Sequence, residues 1–117
     1  MMQKLVNYHG NLTHGTVFRF PGPYPHEKYV DLMLVEFPDS NRKFGLVVST
    51  GHKAGLISIK LPKEAESNHF AGIDRQWVID NWNKWIYETC NIDDVYVIQN
   101  YPIPVIDSSK PQPTQNL

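Results

Sequence analysis

The chain has 117 residues, 41% hydrophobic and 20% charged, with a formal net charge of −1 and one cysteine. That length predicts a single domain burying roughly two-thirds of its unfolded surface, with no need of a structural metal. One thiol excludes an internal disulfide, and the near-neutral balance with a pI of about 6.5 argues against a strongly basic nucleic-acid binder.

Residues 1–10 hold no apolar run of signal-peptide length, and no later run approaches a membrane span, so a cytoplasmic protein is expected. Residues 16–20, Thr16-Val17-Phe18-Arg19-Phe20, alternate as a short strand entered through Gly15 and closed by Pro21-Gly22-Pro23. Pro21, Gly22, Pro23 and Pro25 predict a rigid, extended loop as far as His26. Residues 28–37, rich in Tyr, Val, Leu and Met, read as a long strand. Residues 38–41 (Pro-Asp-Ser-Asn) form a turn, and residues 43–50 return as the second arm of a hairpin. Gly51-His52-Lys53-Ala54-Gly55 turns the chain again. Residues 56–61 then alternate, with Ile57, Ile59 and Leu61 on one face and Leu56, Ser58 and Lys60 on the other, until Pro62 stops them.

Residues 63–72 are polar and turn-forming. They lead into the stretch 74–86, which holds all three tryptophans. Val78, Trp82, Trp85 and Ile86 follow the i, i+4, i+7, i+8 rule, with Asp80, Asn83 and Lys84 between them, so a helix near 74–87 is predicted. Asp74 or Asp80 suits its N-terminal half and Lys84 its C-terminal half. Trp77, Val78, Trp82, Trp85 and Ile86 are its core candidates. Residues 95–98 are a last strand. Residues 102–117 carry four prolines and no period, which predicts an extended arm followed by disorder.

Short turns between consecutive strands require antiparallel pairing. The fold class is therefore α+β: a curved antiparallel sheet from residues 16–61 and 92–100, or a small SH3-like five-stranded barrel, with one Trp-rich helix before the last strand. Residues 1–101 form the single domain, and 102–117 are its tail.

No catalytic constellation emerges. His9, His14, His26, His52 and His69 are scattered, without the spacing of metal ligands, so no metal and no cofactor is expected. His52 stands apart with Lys53, because Gly51 and Gly55 flank them in a turn a partner's backbone can approach. Cys90 follows the helix among Glu88, Asp93 and Asp94, which raise a thiol's pKa rather than activate it. There is no phosphate loop, nucleophile elbow or EF-hand pattern. Charge is uneven: residues 1–63 carry eight Lys/Arg against four Asp/Glu, and residues 64–117 three against eight. Glu88, Asp93 and Asp94 lie within seven residues and form either a solvated patch or an acidic steering surface, which Asp80, Glu64 and Glu66 extend if the fold unites them. The alternative reading is a single-stranded nucleic-acid-binding small barrel, with Phe18, Phe20, Tyr24 and Tyr29 stacking on bases and Arg19, Lys28, Lys53 and Lys60 meeting phosphates.

The run Phe44-Gly45-Leu46-Val47-Val48-Ser49-Thr50-Gly51-His52-Lys53-Ala54-Gly55-Leu56, then Leu61-Pro62-Lys63-Glu64, carries a resemblance together with Trp77, Asn81-Trp82-Asn83-Lys84-Trp85 and Asp94-Val95-Tyr96-Val97. In this order they resemble bacterial immunity proteins of polymorphic-toxin and contact-dependent growth-inhibition systems, over about residues 3–101. The resemblance implies a cytoplasmic antitoxin without enzymatic activity, whose partner is the C-terminal domain of a cognate toxin. Many such toxins are nucleases with basic clefts. No catalytic residue, membrane association or oligomeric state follows from it.

Overall fold

The computed structural model describes residues 2–22, 27–38 and 41–106. Successive apolar runs joined by short turns produce the antiparallel strands β2 (Val17–Pro21), β3 (Tyr29–Glu36), β4 (Phe44–Val48) and β5 (Ile57–Lys60). Two further strands complete the sheet, β1 (Met2–Lys4) and β6 (Tyr96–Ile98). The spatial order is β1-β6-β2-β3-β4-β5, with every neighbouring pair antiparallel. The sheet is open, because among the described residues β1 and β5 do not pair. A six-stranded open sheet thus replaces the five-stranded barrel of the two architectures expected. The added strand is β1, three exposed residues held to β6 by their backbone.

Alternation sorts the strands into two faces. Phe18 stands opposite Leu32, and Phe20 opposite Val30, on the face beneath the helix. Leu34, Leu46 and Val97 join them in the buried core. On the outer face Arg19 stands opposite Asp31. Its guanidinium grips that carboxylate with two bonds, Nε–Oδ1 at 2.7 Å and Nη2–Oδ2 at 2.8 Å. Asp31 is fully buried, and Tyr101 closes over it with a 2.8 Å hydrogen bond from its hydroxyl. Tyr101 and Ser49 also share a 2.5 Å hydroxyl contact, so the segment after β6 is latched across the outer face to the end of β4.

Helix α1 (Arg75–Asn81) begins as its sequence requires: the Asp74 carboxylate accepts from the Trp77 amide at 2.9 Å and caps the first turn. Val78, Trp82 and Ile86 are buried, and Trp82 meets Phe18 and Phe20 edge-on at centroid distances of 5.8 and 5.3 Å. The α-helix stops at Asn81, shorter than the 74–87 expected, and residues Trp82–Ile86 continue as a wider π-turn closed by Tyr87 N–H donating to Trp82 O. Trp77 and Trp85 are half-buried and pack against this core, their rings tilted on one another at a centroid distance of 6.0 Å.

β5 departs from its expected alternation. The register slips by one residue between Leu46 and Val47, so β5 bulges opposite them. Leu61 is buried, but Ile57 is 55% exposed instead of sharing the inner face. The chain from residue 102 to 106 carries no regular structure, and Ile103, Val105 and Ile106 are exposed. The expected disordered end of the tail, 107–117, lies outside the described residues, as do Tyr24, His26 and the centre of the turn at 38–41.

Candidate functional site

Strand direction decides which loops meet. β2 ends, β3 begins, β4 ends, and β5 and β6 begin at one end of the sheet, as their registers require. The β2–β3 connection, the turn at 51–55 and the loop at 87–95 therefore gather there. The opposite end carries the β3–β4 turn and residues 61–74.

At the gathered end, three hollows adjoin. The first, of about 370 Å³, lies between the turn at 51–55 and Tyr87, with Glu27, Val30, Leu32, Val48, Lys53, Leu56, Ile57 and Ser58 around it. Val30, Leu32 and Val48 belong to the core face of the sheet. The second, of about 280 Å³, has Tyr87 as its shared wall and includes Gly22, Thr89, Asn91 and Asp94. The third, of about 380 Å³, shares Asp94 and Pro21 with the second and adds Met2, Arg19, Tyr29 and Tyr96. Tyr87 itself is anchored on Phe20, with centroids 4.6 Å apart.

The acidic loop is held by its own side chains. The Asn83 amide donates to three carbonyls, those of Tyr87, Glu88 and Cys90, at 3.1, 3.2 and 2.6 Å. Asn91 caps the 3₁₀ turn Ile92–Asp94 by accepting from the Asp93 amide at 2.9 Å. Glu88, Asp93 and Asp94 thus stand exposed on a fixed backbone. Cys90 is buried below them, and burial together with Asp94 pushes its thiol pKa up, which suits a structural residue.

The candidate residues divide between the two ends. His52 and Lys53 are exposed at the gathered end, in the turn whose Gly51 and Gly55 have φ of +75° and +96°. Asp80 is exposed on α1 and accepts from Gln76 at 2.9 Å. Glu64 and Glu66 do not extend the acidic loop. Glu66 lines a depression with Lys43, Phe44 and Phe70 at the other end of the sheet, and exposed Glu64 lies in the 3₁₀ turn Lys63–Ala65 of the same segment. Two residues that sequence reasoning passed over, Tyr87 and Glu27, are central here. Tyr87 had a signal in its place directly after the helix pattern. Glu27 had none, since only the fold brings it under the turn at 51–55.

Other chemistry finds little support. Among the described residues no three His, Cys, Asp or Glu side chains converge on a position able to hold a metal ion. Phe18 and Phe20 are fully buried and cannot stack on bases, which leaves Tyr29 as the exposed aromatic of the proposed nucleic-acid platform among those described. No helix in the described residues is long and apolar enough to cross a membrane. No curated protein and no solved structure matches the chain. The family described as Immunity protein 45 does match, over residues 5–97, which span the sheet from β2 to β6, the helix and the loops of the gathered end. The chain belongs to the Immunity protein 45 family.

Proposed function

We propose that this chain is the antitoxin of a bacterial toxin–immunity pair, acting in the cytoplasm by one-to-one binding to the C-terminal domain of its cognate toxin. The observation that carries the reading is the family match over residues 5–97. The toxin is a nuclease with a basic cleft, of the polymorphic or contact-dependent kind, and the antitoxin works by occlusion rather than by any reaction of its own. Two structural features support this. The gathered end presents exposed acids, Glu88, Asp93 and Asp94, on a backbone fixed by Asn83 and Asn91. Beside them lies a hollow whose rim carries the exposed Leu56 and Ile57, and a surface of that composition suits a protein partner: charge to steer the encounter and apolar area to hold it.

The test is protection. The toxin domain encoded beside this chain's gene, expressed in a bacterial host, should arrest growth, and co-expression of the chain should restore it. Purified, the two should form a one-to-one complex. Reversal of Glu88, Asp93 and Asp94 to lysine should slow association tenfold or more, by on the order of the salt-dependent steering range, and leave the fold intact. A folded triple variant that associates and protects as well as the parent would reduce these acids to a solvated surface. Failure of the unaltered chain to bind or protect would remove the toxin reading itself.

A further inference from the structure

The hollow beneath the turn at 51–55 contains an unmet electrostatic demand. Glu27 Oε1 has no solvent contact and no hydrogen-bond donor among the described residues, while the Glu27 side chain as a whole keeps 21% of its surface exposed. The nitrogen facing this oxygen is His52 Nδ1, 3.9 Å away on a side chain that is 79% exposed, which forms an ion pair with it only when protonated. Lys53 lines the same hollow without forming an ion pair with it. A shielded carboxylate oxygen without a donor is costly, and a cation that supplies one recovers that cost. A Cβ at Gly51 would stand 2.5 Å from Glu27 Oε1, so a larger residue there would push the carboxylate aside, and the φ of +75° independently favours glycine.

Around that charge the walls are apolar. Val30, Leu32 and Val48 continue the core face, while Leu56 and Ile57 stand 60% and 55% exposed at the rim. β5 is also the last strand of the open sheet among the described residues. A hollow of about 370 Å³ is at the small end of ligand clefts, suited to one large side chain.

We infer that this hollow is the anchor site for one basic side chain of the toxin, an arginine or lysine, whose aliphatic stem lies on Val48, Leu56 and Ile57 and whose cationic head donates to Glu27. Charge complementarity selects this occupant. A purely apolar residue leaves Glu27 Oε1 without a donor, and an acidic one repels it. Arginine and lysine unite an apolar stem with a charged tip, and arginine is a common interface anchor. The inference rests on the toxin-binding reading and specifies where the affinity resides. The acids at 88, 93 and 94 govern the approach, and Glu27 governs the hold.

The experiment separates those roles by kinetics, with the neighbouring toxin domain as probe. Glu27→Gln keeps the shape of the side chain and removes the charge. It should accelerate dissociation roughly 30-fold or more with little change in association, since loss of a buried charged contact acts on the off-rate. The exposed rim pair Leu56→Ser and Ile57→Ser should also speed dissociation without altering the melting temperature. Substituting each toxin arginine and lysine by methionine should reveal one whose loss weakens binding to the parent but not to the Glu27→Gln variant. If the parent binds while both folded variants dissociate within about twofold of it, or if no basic residue couples to Glu27, the anchor site is refuted and the toxin reading stands. If the parent does not bind, both fall. A free chain that is dimeric, and becomes monomeric with Leu56→Ser and Ile57→Ser, would assign the hollow to a second copy and overturn the inference.

Discussion

Replacing Trp82 by alanine should cost more than any other single change on the helix, and the structure indicates how much more. Its indole is fully buried and forms the meeting point of Phe18 and Phe20. Truncation of a buried tryptophan costs about 3–5 kcal/mol, and loss of two edge-on ring contacts, each contributing about 0.5–1.5 kcal/mol, puts this case at the upper end. A domain of this size has only about 5–15 kcal/mol in total, so Trp82→Ala is expected to lose a third or more of its stability. Trp85 is half-buried against Trp77, and its truncation should cost about 1–2 kcal/mol. Trp82→Phe is the discriminating variant. The indole Nε1 is buried without an acceptor among the described residues, a penalty of about 1–3 kcal/mol that phenylalanine abolishes. That gain offsets much of the lost packing and should leave a net cost of about 1 kcal/mol. Urea unfolding followed by far-ultraviolet circular dichroism measures all three variants. Equal losses for Trp82→Ala and Trp85→Ala, or a Trp82→Phe variant as damaged as Trp82→Ala, would refute this account of the core.

Gly51 and Gly55 both have positive φ, but only Gly51 has a neighbour where a Cβ would go. Gly55→Ala should cost about 1 kcal/mol from backbone strain, and Gly51→Ala more, because it also displaces Glu27; equal melting temperatures would contradict this. Tyr101→Phe removes a hydrogen bond to the buried Asp31 carboxylate and should cost about 1–2 kcal/mol in urea unfolding. Burial, with the Asp31 contact, raises the Tyr101 pKa above its ordinary 10.0. The parent's extra stability is therefore complete below pH 10.0 and declines as the pH rises toward the folded-state pKa, a decline that should be smaller in Tyr101→Phe. At pH 8, iodoacetamide should alkylate Cys90 far more slowly in the native chain than in urea, since burial and Asp94 raise its pKa; similar rates would mean the thiol is accessible.

The parts of this fold that were legible in the sequence share one property: side chains alone determine them. The sequence allows Asp74 or Asp80 in the N-terminal half of the helix, and Asp74 takes the cap, while Val78, Trp82 and Ile86 are buried because their spacing leaves one apolar stripe. The parts that were not legible depend on backbone pairing. β1 consists of Met2, Gln3 and Lys4, all exposed, and is a strand only because β6 offers them hydrogen bonds. The bulge in β5 leaves residues 56–61 alternating in composition but not in orientation, so Ile57 stands at the rim of the hollow rather than in the core. The π-turn at Trp82–Ile86 is likewise a backbone feature, a Tyr87 N–H to Trp82 O bond that the tryptophan spacing does not announce.

The candidate site shows the same division at larger scale. Along the sequence, basic residues predominate before position 64 and acidic residues after it. Strand order mixes the two halves. β6 is inserted between β1 and β2, so the acidic segment is woven into the basic half of the chain, and Asp94 lines one hollow with Arg19. Glu66, close to the other acids in composition, is carried to the far end of the sheet beside Lys43. Meanwhile Glu27, in the basic half, comes to lie in the hollow walled by Tyr87, the residue that also bounds the hollow lined by Asp94. Which charges share an end of the sheet is thus decided by strand direction, and Glu27 and Glu88, brought to the same end, lie about sixty residues apart in the sequence.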